Sequence, residues 1–167
     1  MNEYEISGIE ILARGVCVVD GKVLLCRPKK GGYTYLPGGH VEFGETSREA
    51  LVREMKEETG LAATAGDLLG VVESQFMQHG KKHCEISLVY RMTIEPTPDA
   101  TKPVKACEDW IAFDWCPIDR LDAANLLPPE ERWLHLPAGR TRRVRRDNPR
   151  SARARNERGD GSLRNGG

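Results

Sequence analysis

Hydrophobic positions along the chain fall into short runs with two different periods. Residues 11–19 (Ile-Leu-Ala-Arg-Gly-Val-Cys-Val-Val) and 22–26 (Lys-Val-Leu-Leu-Cys) are rich in β-branched and apolar residues and are separated by Asp20-Gly21. An Asp-Gly pair between two such runs predicts a tight β-hairpin. Tyr33–Leu36 reads as a short strand that stops at Pro37-Gly38-Gly39, a bend without Cβ atoms that permits close backbone approach. From Thr46 the period changes. Thr46 with Glu49 three residues on is a capping box, Leu51, Met55 and the Val52/Thr59 side form an apolar stripe, and Gly60 supplies the stop. Further strands are predicted at Val71–Met77 and Glu85–Ile94, joined across His79-Gly80-Lys81-Lys82, and at Trp110–Trp115. Pro128-Pro129-Glu130 opens a second helix reaching about Leu136, anchored by Trp133 and Leu134. Strands outnumber helices without regular βαβ alternation, so the class is α+β or mixed α/β, with helices on a mixed sheet.

The 167 residues suit about one domain. The 39% hydrophobic and 30% charged fractions are those of an ordinary globular chain. No apolar run approaches the roughly 18 residues of a membrane helix, and the acidic start lacks the layout of a secretory signal, which predicts no membrane association. Five scattered cysteines without a C-x-x-C pair argue against a disulfide framework and a structural zinc site, and for reduced thiols in the cytoplasm. The zero net charge conceals two unlike segments. Residues 140–167 hold ten arginines against Asp147, Glu157 and Asp160, a net +7 that the acidic remainder balances. With Val144 and Leu163 its only large apolar residues, that segment is expected to be a disordered tail behind a domain of residues 1–139.

The chemistry concentrates between Gly39 and Leu61. On the predicted helix Glu54, Glu57 and Glu58 stand at i, i+3 and i+4, so three carboxylates share a face on which like charges repel. A single such Glu is most simply a solvated residue. Three together are relieved by a hard divalent cation, for which Mg²⁺ with oxygen ligands is the natural choice. Arg53 is placed to orient one of them, and Glu45, near the positive end of the helix, can brace the preceding loop. The full spacing arises by chance on the order of once in a million such chains or less.

Gly39 to Leu61 resembles the complete Nudix box, with no departure at any defined position. The resemblance implies an α/β/α sandwich around a mixed central β-sheet, and attack of water on a phosphorus of a nucleoside diphosphate linked to another group. It implies Glu54, Glu57 and Glu58 as ligands of Mg²⁺ (with Mn²⁺ as a substitute), the carbonyl of Gly38 as a further ligand, and Arg53 as the orienting residue. The general base in this family often lies outside the box. Glu108, just before a strand, is the first candidate and Glu85, beside His83, the second; for each the plain alternative is a surface carboxylate. His79 and His83 suggest exposed histidines at a turn rather than a metal pair. Trp110 and Trp115 could stack on a base, though alternation with Ile111 and Phe113 favours core packing for at least one. Substrate markers downstream are missing: residues 62–79 have neither proline nor tyrosine. That leaves nucleoside triphosphates, oxidised nucleotides, sugar nucleotides or a minor ADP-ribose branch. The rival reading is a non-catalytic or RNA-directed module whose arginine tail holds nucleic acid. The intact carboxylate trio favours the enzyme on small nucleotides. The oligomeric state, homodimer included, stays open.

Overall fold

The first β-branched run, read above as one strand, is divided at Cys17 between two sheets. Ile6–Val16 (β1) belongs to one, while Val18–Val19 (β2) belongs to the other and returns as Lys22–Pro28 (β3). Asp20 (φ 49°) and Gly21 (φ 70°) both take the left-handed backbone that a two-residue hairpin turn needs, as the Asp-Gly pair predicted. The computed structural model describes residues 6–78 and 80–129. These belong to one unit of the chain, residues 1–136. Most of the predicted second helix, His79 and the arginine-rich tail lie outside the described residues. No helix among the described residues is long and apolar enough to cross a membrane.

The larger sheet runs β4-β1-β6-β5, with Gly38–His40 as β4, Ala62–Gln78 as β5 and Lys81–Glu95 as β6. β1 and β6 are parallel while the other pairs are antiparallel, so the sheet is mixed as expected. The smaller sheet, β2-β3-β7, is antiparallel and ends on Ile111–Pro117 (β7). Several strand bounds differ from expectation: β1 begins at Ile6, five residues early, and Tyr33–Leu36, expected as a strand, makes only isolated bridges through Thr34 and Tyr35. β5 begins nine residues before Val71, where Gly66, Asp67 and Gly70 mask the strand pattern; pairing with β6 imposes it, with register shifts around Leu68. Lys81 and Lys82, expected in the turn, are already paired in β6, and Gly80 before them stands at φ 77°. Gly38-Gly39 does not stop a strand but forms one, against Ala13 and Arg14 of β1. A Cβ at position 38 would run into the Ala13 carbonyl oxygen, so only glycine permits this pairing.

The helix Ser47–Thr59 (α1) has both predicted ends. Thr46 and Glu49 form the reciprocal capping box, and Gly60 closes it at φ 73° with its N–H on Lys56 O. Ala50, Leu51 and Met55 are fully buried against Ala13, Tyr90, Met92 and Ile94 of the large sheet and Phe113 of the small one. Truncating Leu51 or Met55 to Ala would cost about 2–5 kcal/mol at such sites. Val52, expected on the apolar side, is instead 37% exposed, and Glu58 takes a buried place beside Thr59. A second cluster (Val16, Val23, Leu25, Leu36, Val72, Val89) joins the sheets on the far side. The core thus holds α1 against β4 and β1, where Gly39 passes the Glu54 carboxylate.

Candidate active site

Arg53 organises the box. Its Nε and Nη2 donate to the two oxygens of Glu45 (3.0 and 2.7 Å), Nη2 also to the His40 carbonyl (3.1 Å), and Nη1 to Glu54 (2.9 Å) and Glu57 (3.1 Å). Every one of the five guanidinium N–H bonds therefore has an acceptor. The bidentate Glu45 contact also ties down the loop before the helix, because Glu45 accepts the Glu42 N–H at 2.8 Å. The Arg53 guanidinium, then that N–H, hold the Glu45 carboxyl down at about 2. Glu45, followed by burial and Glu54, sets the balance that keeps Arg53 above even its ordinary range.

The three box carboxylates do not stand alike. Glu54 is largely shielded, its carboxylate packed where a Cβ on residue 39 would sit. Glu57 is 56% exposed and drawn toward Arg53. Glu58 is 7% exposed, and its Oε2 is buried with no hydrogen-bond partner. Burial first, then the Glu54 carboxylate, pushes Glu58 up to about 7; Arg14 pulls the other way, and Glu108 and Glu57 add to the rise. With Arg53 holding Glu54 and Glu57, no three His, Cys, Asp or Glu side chains among the described residues are gathered into a group that could hold an ion. The donor set nonetheless fits a hard divalent cation. It offers oxygens only, one of them a buried, unpartnered carboxylate oxygen whose desolvation an ion would offset.

Glu108 and Glu85 part company. Glu108 lies in an exposed loop before β7, accepts the Trp110 indole N–H, and is close enough for its charge to be felt at Glu58. The same loop is tied to the helix end by the Cys107 N–H on Glu58 O at 2.7 Å. Glu85 sits in β6 in register with Glu10 of β1 and Ser74 of β5, with the Ser74 hydroxyl at 3.5 Å. His83, expected exposed at the turn, is a half-buried strand residue stacked on Phe76 (5.1 Å between centroids, 6° between planes). Trp115 packs against the core, as alternation indicated, while Trp110 is 54% exposed.

Sequence reasoning missed Arg14 and Tyr35. Arg14 donates through Nη1 to the carbonyls of Gly38 (2.7 Å) and Leu36 (3.2 Å), and its guanidinium lies 5.1 Å from the Tyr35 ring centroid. The available signal was a lone charge in the apolar run 11–19. The Gly38 carbonyl, expected to face a metal, already accepts Arg14, although a carbonyl oxygen has a second lone pair.

A model of the NUDIX domain matches residues 10–139. The ADP-ribose pyrophosphatase of Methanocaldococcus jannaschii is 51% identical over 63 residues, 36% of this chain and 37% of that protein. The CTP pyrophosphohydrolase of Escherichia coli is 44% identical over 63 residues, 35% and 46% of the two chains. The chain thus spans less than half the length of these curated relatives. Among solved structures, the E. coli ORF135 protein is 27% identical with a TM-score of 0.54, covering 75% of this chain and 86% of that one.

Proposed function

The chain belongs to the Nudix family, and from that premise we propose that it is a magnesium-dependent hydrolase of the diphosphate bond in a nucleoside diphosphate derivative. The observation that carries this reading is the buried, unpartnered Oε2 of Glu58 within reach of the Glu54 charge, with the Glu54 carboxylate itself packed against Gly39. Such an arrangement destabilises the fold unless a cation or proton joins it. Glu54, Glu57, Glu58 and the Gly38 carbonyl are the groups that would hold Mg²⁺, or Mn²⁺ in its place. When bound, the cation supplies charge neutralisation at the phosphate oxygens and a more acidic water.

The chain's own residues supply the remainder. Arg53 fixes Glu54 and Glu57 and braces the loop through Glu45, so the carboxylates do not splay apart. Glu108 accepts the proton of the attacking water at its carboxylate. The water oxygen bonds to phosphorus, the bridging P–O bond breaks, and the departing phosphate takes the electron pair. Glu85 of β6 is the alternative acceptor. The names of the relatives point to ADP-ribose and CTP as substrates to try first. The five free thiols suit the cytoplasm. A module that only binds nucleic acid would leave the cost of Glu58 burial without purpose.

The test is the full chain with Mg²⁺ against a panel of ADP-ribose, CTP, oxidised deoxynucleotides and sugar nucleotides, with products resolved by chromatography. Release of a nucleoside monophosphate from at least one is expected. Absence of turnover on every diphosphate, with tight binding to RNA, would sink the enzyme reading in favour of the rival.

A further inference from the structure

The two arginines of the site differ in what they have left to offer. All five N–H bonds of Arg53 are committed to protein acceptors. Arg14 commits only Nη1, to the carbonyls of Gly38 and Leu36. Its Nε and Nη2 have no acceptor among the described residues. The side chain is half-buried, lodged against the Tyr35 ring and tethered at one corner, so it is held rather than free in solvent. Its charge is felt at Glu58, yet the two make no ion pair, and Glu58 Oε2 keeps no partner. A desolvated carboxylate oxygen and an underused guanidinium edge lie within electrostatic reach of each other, unpaired.

We propose that Arg14 is a substrate-binding residue whose free N–H edge takes the oxygens of the diphosphate. This rests on the hydrolase reading above. A guanidinium fork matches two phosphate oxygens at once. Because the side chain is already fixed by the Leu36 and Gly38 carbonyls and the Tyr35 ring, little rotamer freedom is lost on binding. Holding two carbonyls requires only one nitrogen, which leaves Nε and Nη2 open to a ligand. Diphosphate oxygens on the Arg14 side and a cation on the Glu58 side would satisfy both unpaired groups together.

The test compares wild type with Arg14→Gln and Arg14→Lys, using methylenediphosphonate, an unhydrolysable diphosphate, with saturating Mg²⁺ in a calorimeter. Mn²⁺ binding alone is followed by electron paramagnetic resonance. Arg14→Gln should bind the diphosphonate roughly 10–100-fold more weakly, with Mn²⁺ affinity unchanged. Arg14→Lys, which keeps the charge but not the fork, should fall between; it carries the same comparison if the Gln variant does not fold. Equal diphosphonate binding by wild type and variants overturns the proposal. So does a parallel loss of Mn²⁺ affinity, which would mean that Arg14 only positions the Gly38 carbonyl. Failure of wild type itself to bind the diphosphonate would overturn the hydrolase reading first.

Discussion

Glu58→Gln should stabilise the metal-free protein at alkaline pH while abolishing its activity. The carboxyl stands at about 7 in the fold against an ordinary value of 4.5, chiefly because it is buried. Between those values the native state holds the proton more tightly than the unfolded chain does. Stability is therefore fully present below about pH 4.5 and is lost as pH rises toward about 7, the reverse of the usual carboxylate case. At about 1.36 kcal/mol per pH unit between the two values, the loss is up to about 3 kcal/mol. A Gln amide keeps the shape and carries no charge, but its buried N–H bonds need acceptors, which takes back about 1 kcal/mol. The net gain above pH 7 is about 1–2 kcal/mol, a rise in melting temperature of about 3–8 °C for a domain of this size. The assay is thermal unfolding in EDTA at about pH 5 and about pH 8. Wild type should lose more stability than the variant between the two, and Mg²⁺ should raise the melting temperature of wild type alone. A variant that melts below wild type at the higher pH, or that shares its pH dependence, would refute the assignment of Glu58 as an unpaired buried carboxylate.

Other perturbations follow from the same geometry. Gly39→Ala places a methyl in the space of the Glu54 carboxylate; it should lower turnover and weaken Mn²⁺ binding, and wild-type affinity would contradict the packing argument. Glu57→Gln should reduce turnover by roughly 10²–10⁵-fold with the fold intact, checked by circular dichroism beside kinetics. Glu108→Gln should lower kcat by roughly 10²–10⁴-fold and flatten the acidic limb of the pH–rate profile without moving half-saturating Mg²⁺. That signature in Glu85→Gln instead would transfer the base to β6.

What could be read from the sequence was what local chemistry decides. The capping box and Gly60 bound α1 to the residue, and Asp20-Gly21 set its hairpin, because caps and turns depend on neighbours a few positions apart. The box spacing placed Glu57 beside both Arg53 and Glu54 for the same reason, since residues three and four apart on a helix are neighbours in space. The extent of β5 was hidden because its first half is ordered by pairing with β6 rather than by its own residues. That Gly38-Gly39 is a strand depends on the approach of β1, and Arg14 reaches the site only through that pairing. Glu58 read as one of three equivalent carboxylates; its burial follows from how α1 is rotated against the sheet, which single-sequence periodicity gave no means to resolve.

Whether the box carboxylates serve a cation-dependent attack on a diphosphate is decided by the Mg²⁺ dependence of turnover on the best substrate of the panel, for wild type and Glu58→Gln side by side. EDTA should stop wild type, Mg²⁺ should restore it along a saturable curve, and the variant should stay inactive at any Mg²⁺ concentration. Turnover that survives EDTA, or a variant that Mg²⁺ restores to the wild-type rate, would contradict that role of the carboxylates.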